Sequence, residues 1–258
     1  MKRMGNVKTA IPGLDELIEG GYVENDVILI TGGPGAGKTT FGIQYLVGGA
    51  TIYNEPGVLV VMEETPARMI RDSWRFGWDI EKLVAQKKLK IIYANPFKYT
   101  KFAKTPESSP MNVIATSKNI GDIFQQIQAE VTAIKAKRVF IDSITSLKLS
   151  TEPQEARYIV SEFIKNLEYL DCTTLMTSEI YGKEAFSVEE YLSSGVIRLH
   201  VFRVGGSRVR AIEILKMRGV KHDDTLHPYE IQEKGIVVHS TEAVMSDEMS
   251  LFETVDAK

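Results

Sequence analysis

The residues best suited to chemistry in this sequence form one glycine-rich stretch, residues 32–39. Its sequence, Gly-Gly-Pro-Gly-Ala-Gly-Lys-Thr, matches the phosphate-binding pattern GxxxxGK[ST]. In such a loop, backbone N–H groups converge on phosphate oxygens, and the positive end of the following helix faces the same anion. The lysine then reaches the β- and γ-phosphates, and the threonine hydroxyl completes the coordination of Mg²⁺. The predicted nucleotide-binding residues here are Gly33, Pro34, Gly35, Ala36, Gly37, Lys38, Thr39 and Thr40.

Two segments flank this glycine-rich loop and would hold it in place. Residues 27–30 form a short apolar run rich in β-branched residues, which is typical of a strand buried on both faces. Residues 40–46 are typical of the opening turns of a helix. Because phosphate binding requires strand, loop and helix in this order, we interpret the stretch as a P-loop.

Two adjacent carboxylates follow the next predicted strand, residues 58–62. Glu63 and Glu64 would therefore lie at the carboxyl end of a strand beside the P-loop strand, where open parallel sheets bind ligands. Either carboxylate could orient a water for attack on the γ-phosphate or accept its proton. Alternatively, Glu64 supplies only favourable charge at the start of the next helix, where Thr65 resembles an N-cap and Pro66 a first helical residue. Both interpretations stay open for Glu64, whereas chemistry is favoured for Glu63.

A third carboxylate, Asp142, ends an apolar segment that follows a predicted helix. This is the Walker B pattern, in which the carboxylate helps to hold Mg²⁺ against the phosphates. Thr39 and Asp142 are therefore the predicted metal-binding residues. Another predicted strand, residues 173–177, ends in Ser178 and Glu179. These two residues either sense the γ-phosphate or merely cap the strand.

The spacing of apolar residues predicts an α/β fold, because runs typical of strands alternate with amphipathic helical patterns through most of the chain. We expect Trp74 and Phe76 to lie in the core, Asp79 to cap a helix, and Thr151 to open another through a capping box. From Gly195 onward, alternating segments separated by short turns predict antiparallel pairing. The expected architecture is a mostly parallel central β-sheet flanked by helices, with antiparallel β-hairpins at its C-terminal end.

Length and composition restrict the protein class. The 258 residues are expected to form one domain over residues 1–240 and an acidic tail over residues 241–258. No apolar run approaches the roughly 18 residues of a membrane span, and the charged N-terminus lacks the apolar core of a secretory signal. Cys172 is the single cysteine, so no internal disulfide and no cysteine-based metal site is expected. These features predict a cytoplasmic protein.

Residues 95–116 interrupt the pattern with a long polar segment in which lysines lie between aromatic residues. Such a segment could contact single-stranded nucleic acid through stacking and charge. Four arginines further along would add to that surface: Arg198, Arg203, Arg208 and Arg210. The alternative, a variable surface insertion, is favoured. The net charge of −3 also argues against nucleic acid as the main partner.

Five further segments occur in an order that resembles the KaiC-like branch of the RecA/RadA ATPase superfamily. They are Ile-Pro-Gly-Leu-Asp at 11–15, Glu-Glu-Thr-Pro at 63–66, Phe-Gly-Trp-Asp at 76–79, Ile-Asp-Ser at 141–143 and Lys-Met-Arg-Gly at 216–219. The resemblance covers nearly the whole chain. It implies a RecA-like P-loop NTPase core that assembles into a homo-oligomeric ring, commonly a hexamer, and binds ATP or ADP between protomers.

The resemblance also implies roles for individual residues. Glu63 matches the catalytic carboxylate, and Asp142 matches the Walker B acid. Lys216 and Arg218 match a pair of cations that reach the γ-phosphate of a neighbouring protomer. The positions that line the base and ribose in relatives correspond to Arg75, His222 and Ile231.

The chain departs from the clock protein KaiC because it has one such domain rather than two in tandem. Clock function and autokinase activity are therefore not expected. The leading hypothesis is a Mg²⁺-dependent ATPase with slow turnover that switches conformation. The alternatives are a recombinase paralogue that binds DNA with the help of ATP, and an ATP-binding scaffold that barely hydrolyses.

Overall fold

A computed structural model describes residues 5–94, 113–116, 120–179, 187–204 and 207–244. Two short strands, β1 (Asn6–Val7) and β2 (Tyr22–Val23), pair with each other near the N-terminus. The central sheet contains β3 (Val27–Gly32), β4 (Gly57–Val61), β5 (Leu89–Ala94), β6 (Val113–Thr116), β7 (Arg138–Asp142), β8 (Thr173–Glu179), β9 (Gly195–Val204), β10 (Ser207–Met217), β11 (His227–Gln232) and β12 (Gly235–Val238). Within the described ranges its strand order is β12-β11-β10-β9-β3-β8-β7-β4-β5-β6.

The sheet is parallel from β9 through β6, and β10, β11 and β12 add antiparallel pairs at the other end. This arrangement confirms the expected fold class. The helices are α1 (Leu14–Leu17), α2 (Lys38–Ile52), α3 (Pro66–Ser73), α4 (Ile80–Ala85), α5 (Ile120–Ile134), α6 (Thr145–Leu149), α7 (Pro153–Leu167) and α8 (Val188–Leu192), with a 3₁₀ turn over Trp74–Phe76.

Hydrophobic packing covers both faces of the parallel strands. Along β3, Ile28 and Ile30 join a core with α2, whereas Val27 and Leu29 join a second core with α5 and α7. Because successive side chains of a strand point to opposite faces, a strand buried on both faces must be apolar at every position. The continuous apolar run of β3 therefore reflects helices on both sides of the sheet.

Strand register brings the candidate residues to one edge of the sheet. Gly32 of β3 lies level with Glu179 of β8, and Val61 of β4 lies level with Asp142 of β7. Parallel strands end at a common edge, so the P-loop and the ends of β4, β7 and β8 adjoin there.

Three local predictions were wrong. Trp74 is 50% exposed rather than buried in the core. Thr151 does not form a capping box, because its hydroxyl donates to the Leu147 carbonyl at 2.5 Å at the end of α6, while Glu152 is the N-cap of α7. Residues 113–116, expected within a loop, form the edge strand β6 beside β5, and residues 95–112 lie outside the described part of the chain.

Local predictions about helix starts mostly held. Asp79 caps α4, since its side chain accepts from the Lys82 N–H at 2.8 Å. Thr65 is the N-cap residue of α3 and Pro66 its first residue, although the Thr65 side chain makes no capping hydrogen bond. Helix α6 and the short helix α8 were not predicted; the latter opens with a capping box between Ser187 and Glu190.

Candidate active site

The P-loop turns between β3 and α2, and Gly37 ends it in the left-handed conformation at φ 92°. Lys38 begins α2, and its Nζ donates to the carbonyl oxygens of Gly32 at 2.8 Å and Gly33 at 3.2 Å. Burial lowers the pKa of Lys38, while the charges of Glu179, Asp142 and Glu63 act in the opposite direction. The lysine is therefore held over the loop by backbone carbonyls, within the field of three carboxylates.

Asp142 lies at the centre of this edge. Its Oδ2 accepts from the Thr39 hydroxyl at 2.7 Å, and its Oδ1 accepts from the Thr177 hydroxyl at 2.5 Å. Burial raises the pKa of Asp142, and the hydrogen bonds from Thr177 and Thr39 oppose that rise. Mg²⁺ prefers hard oxygen ligands and commonly takes one or two from the protein beside phosphate oxygens and waters. The paired oxygens of Thr39 and Asp142 fit that requirement.

The two adjacent glutamates at the end of β4 differ in their surroundings. Glu63 Oε1 accepts from the hydroxyls of Ser143 at 2.5 Å and Ser146 at 2.9 Å. Glu64 instead pairs with Arg68 at 3.7 Å, one turn into α3. Glu63 is thus oriented towards the end of β7 beside Asp142, whereas Glu64 is turned towards its own helix.

The end of β8 separates its two polar residues. Ser178 donates from its hydroxyl to Glu189 Oε1 at 2.8 Å, and the Glu179 N–H donates to the Thr145 hydroxyl at 2.9 Å. The Glu179 backbone lies level with Gly32 of the P-loop. A phosphate-sensing role for this pair stays a prediction.

Strand β11 covers the P-loop from the antiparallel part of the sheet. A Cβ placed on Gly37 would lie 2.8 Å from Ile231 Cδ1, so the predicted nucleotide-binding residue Ile231 does lie against the loop. The buried Tyr229 hydroxyl donates to the Ala36 carbonyl. Tyr229 was missed by sequence analysis, because its alternating segment carries no signal for what it faces.

Thr40 and the predicted base-binding region lie together beside α2. A depression of about 190 Å³ is lined by Thr39, Thr40, Ile43, Glu64, Met69, Asp72, Ser73, Phe76 and Trp78. Arg75 is exposed on the neighbouring 3₁₀ turn.

Lys216, Arg218 and His222 are far from this P-loop. Lys216 pairs with Val196, which in turn lies level with Leu29, three residues before Gly32. At about 3.3 Å per residue and about 4.8 Å per strand, this places Lys216 roughly 10 Å back along the sheet and two strands across. The Arg218 N–H donates to the Ser194 carbonyl at 2.9 Å, and His222 pairs with Asp224 at 3.2 Å. These residues belong to the opposite edge of the sheet.

The arginines considered for nucleic acid have other neighbours. Arg198 pairs with Glu190 at 2.7 Å. Arg208 lies beside the P-loop, with its Nη1 3.8 Å from where a Cβ on Gly35 would stand. The hairpin formed by β9 and β10 therefore runs past the P-loop, a position that the sequence pattern did not predict.

A family model described as "ATPase: KaiC" matches residues 7–243. The chain belongs to this KaiC ATPase family. It is therefore an ATP-binding P-loop NTPase of the KaiC-like type, and its predicted resemblance is confirmed.

Individual relatives agree with that assignment. The chain is 36% identical over 239 residues to a UPF0273 protein of Methanocaldococcus jannaschii, covering 92% of this chain and 97% of that protein. It is 35% identical over 233 residues to the circadian clock oscillator protein KaiC of Thermostichus vulcanus, covering 87% of this chain but 42% of that protein. A crystal structure of a KaiC-like protein from Pyrococcus horikoshii matches with a TM-score of 0.78 and 36% identity, over 92% of this chain and 99% of that one.

Two other sequence expectations can be compared with the structure. No helix within the described residues has the length and apolar character needed to cross a membrane. Cys172 is buried, its Sγ donates to the Ala136 carbonyl at 3.0 Å, and burial raises its pKa to about 12. A thiol in that state is a poor nucleophile, so Cys172 is a packing residue.

Proposed function

We propose that this protein is a Mg²⁺-dependent ATPase whose active sites lie between neighbouring copies of the chain in a homo-oligomeric ring, a hexamer by analogy with its family. The observation that carries the proposal is the separation of Lys216 and Arg218 from their own P-loop by the depth of the sheet. The P-loop edge supplies phosphate-binding groups and a candidate carboxylate. The opposite edge supplies a pair of cations that only another copy could receive.

At the P-loop edge each side chain has a defined task. Lys38 would leave the carbonyls of Gly32 and Gly33 to bind the β- and γ-phosphates. Mg²⁺, held by Thr39 and Asp142, would neutralise phosphate charge. Glu63, fixed by two serine hydroxyls, would orient the attacking water and accept its proton.

At the opposite edge, Lys216 and Arg218 would neutralise the charge that develops on the γ-phosphate of the neighbouring copy. A cation supplied across an interface in this way changes the rate by about 10³–10⁵ in GTPases. Burial and the neighbouring Arg218 charge both lower the pKa of Lys216, so two like charges lie close together and an anion would relieve their repulsion. We further propose slow turnover that switches conformation, in a cytoplasmic protein.

The experiment that tests this proposal mixes two inactive variants. Lys38→Ala removes phosphate binding but keeps the cation pair, whereas Arg218→Ala keeps phosphate binding but lacks one cation. Each variant alone should hydrolyse ATP about 10³-fold more slowly than wild type. An equimolar mixture should recover activity, because some interfaces combine an intact P-loop with an intact Arg218. Light scattering should show rings of the same mass in every sample.

Three results would contradict the proposal. Full activity of Arg218→Ala would exclude the shared site. Failure of the mixture to recover activity, despite rings of normal mass, would place Arg218 in some other role. ATP binding by wild type without hydrolysis would favour a scaffold that binds ATP without turning it over.

A further inference from the structure

A buried ion pair outside the P-loop edge connects helix α8 to the end of β8. Glu189 of α8 is 2% exposed, and its carboxylate accepts from Lys148 Nζ. The same Oε1 accepts from the Ser178 hydroxyl at 2.8 Å. Lys148 Nζ lies 3.4 Å from that hydroxyl, so the three side chains form one cluster.

This cluster holds Glu189 in its charged form. Burial alone would raise the pKa of Glu189, but the hydrogen bonds from Lys148, its own backbone and Ser178, together with the Lys148 charge, keep that pKa below its usual range. A buried carboxylate of this kind depends on its cation, because losing the partner leaves an uncompensated charge. Lys148 and Glu189 therefore fix α8 at one defined position against β8.

The other side of α8 carries the cation pair. Lys216 Nζ donates to the carbonyl oxygens of Glu190 at 2.8 Å and Tyr191 at 3.0 Å. Arg218 Nη2 donates to the same Tyr191 carbonyl at 3.1 Å. The last carbonyls of a helix lack partners within it and attract cations. One short helix thus lies between Ser178, next to the P-loop edge, and the two cations of the opposite edge.

We infer that Lys148 and Glu189 are positioning residues for the Lys216 and Arg218 pair. Through α8, their ion pair sets where the two cations are presented to a neighbouring copy, and it links that position to Ser178. Ser178 lies level with Thr31, one residue before Gly32, so a displacement of the β8 end would reach the cations through contiguous hydrogen bonds. This inference rests on the proposed function, because it assumes that the cations act on a neighbour.

The test uses the mixture of Lys38→Ala and Arg218→Ala chains, in which each variant has a known task. The Lys38→Ala chain donates the cations, and the Arg218→Ala chain accepts them. Glu189→Gln is added first to the donor and then, in a separate mixture, to the acceptor. We expect the recovered ATPase rate to fall about tenfold with the change in the donor, and less than about twofold with the change in the acceptor, since misplaced groups lose rate only where they act.

Three further variants guard against a folding artefact. Lys148→Gln in the donor should reproduce the loss, and Lys148→Arg, which keeps the charge, should retain at least half of the recovered rate. Glu162→Gln serves as the matched control, because Glu162 pairs with Lys165 at 3.1 Å on the exposed surface of α7; it should leave the rate unchanged. Binding of a fluorescent ATP analogue to the single variant Glu189→Gln should match wild type within about twofold.

The outcomes separate the two proposals. Equal losses from the donor and acceptor changes, or no loss from either, would overturn the positioning role while leaving the shared site intact. Failure of the parent mixture to recover activity would instead overturn the shared site, and the positioning role with it. A loss confined to the donor, reproduced by Lys148→Gln, would establish the positioning role.

Discussion

The two edges of the sheet present opposite kinds of half-site. At the P-loop edge, the functional side chains already bind one another: Thr39 and Thr177 hold Asp142, and two serines hold Glu63. At the other edge, Lys216 and Arg218 bind only backbone carbonyls of α8. The first edge is preorganised by its own contacts, whereas the second holds its cations where an incoming anion can replace those carbonyls.

The difference follows from strand direction. Parallel strands bring β3, β4, β7 and β8 to an end on one side, so residues distant in sequence converge there without further design. Strand β10 runs antiparallel to β9, so its end must lie on the opposite side. A chain with this topology therefore separates its carboxylates from its last cation pair, and a second copy is the simplest way to reunite them.

The largest expected effect comes from breaking the contrast between Glu63 and Glu64 at the P-loop edge. Glu63→Gln should lower the ATPase rate by at least about 10²-fold, because the amide cannot accept a proton from the attacking water. Binding of a fluorescent ATP analogue should stay within a few-fold of wild type. Steady-state hydrolysis and equilibrium titration measure the two quantities.

The neighbouring carboxylate provides the control. Glu64→Gln should lower the rate less than about fivefold, because Glu64 pairs with Arg68 in an exposed i,i+4 pair of small energetic value. Equal losses from the two substitutions would mean that the serine hydroxyls do not distinguish Glu63 from Glu64.

An intermediate effect is expected from loosening the helix that carries the P-loop. A Cβ on Gly42 of α2 would lie 2.0 Å from ring atoms of Phe140 on β7. Gly42→Ala should therefore lower the free energy of unfolding by about 2–3 kcal/mol, as overpacking a close-packed core does. Urea denaturation followed by circular dichroism measures the change.

Gly33→Ala is the matched substitution, since nothing lies within 4 Å of a Cβ at that position. It should change the free energy of unfolding by less than about 0.5 kcal/mol. If Gly42→Ala were equally mild, the preorganisation of the P-loop edge would not depend on the packing of α2 against β7.

The smallest effect concerns the opposite edge and its pH dependence. Burial raises the pKa of Asp26 to about 6, a hydrogen bond from Ser194 opposes the rise, Glu168 adds to it, and Arg218 also opposes it. The folded state thus binds more protons than the unfolded state between about pH 4 and pH 6, where an unfolded aspartate has already ionised. The free energy of unfolding should therefore fall as pH rises through that window.

Asp26→Asn removes the titrating group and should flatten that decline. Discounted for the solvent that reaches this half-buried carboxyl, the gain in the free energy of unfolding at pH 7 should be about 1 kcal/mol. At pH 4 the variant and wild type should be alike. Urea denaturation at both pH values is the measurement, and a gain of equal size at pH 4 would show that ionisation of Asp26 is not the cause.

Local sequence signals were sufficient for much of the fold. The continuous apolar runs predicted β3, β4 and β7, and Asp79 predicted the start of α4. The failures arose where a neighbour competed for the same group. The Thr151 hydroxyl bonds to Leu147 because the unpredicted helix α6 ends beside it, and Trp74 follows a helical spacing although that side of the turn faces solvent.

The sequence by itself determined the P-loop, the carboxylates at the strand ends and the family, because each depends on residues close together in the chain or on motifs in a recognisable order. Only the tertiary structure decided that Glu63 and Glu64 face different partners, that Tyr229 and Arg208 reach the P-loop, and that Lys216 and Arg218 lie at the other edge. The physical reason is that these relations depend on register and strand direction between segments far apart in sequence. No local pattern of residue types records that pairing.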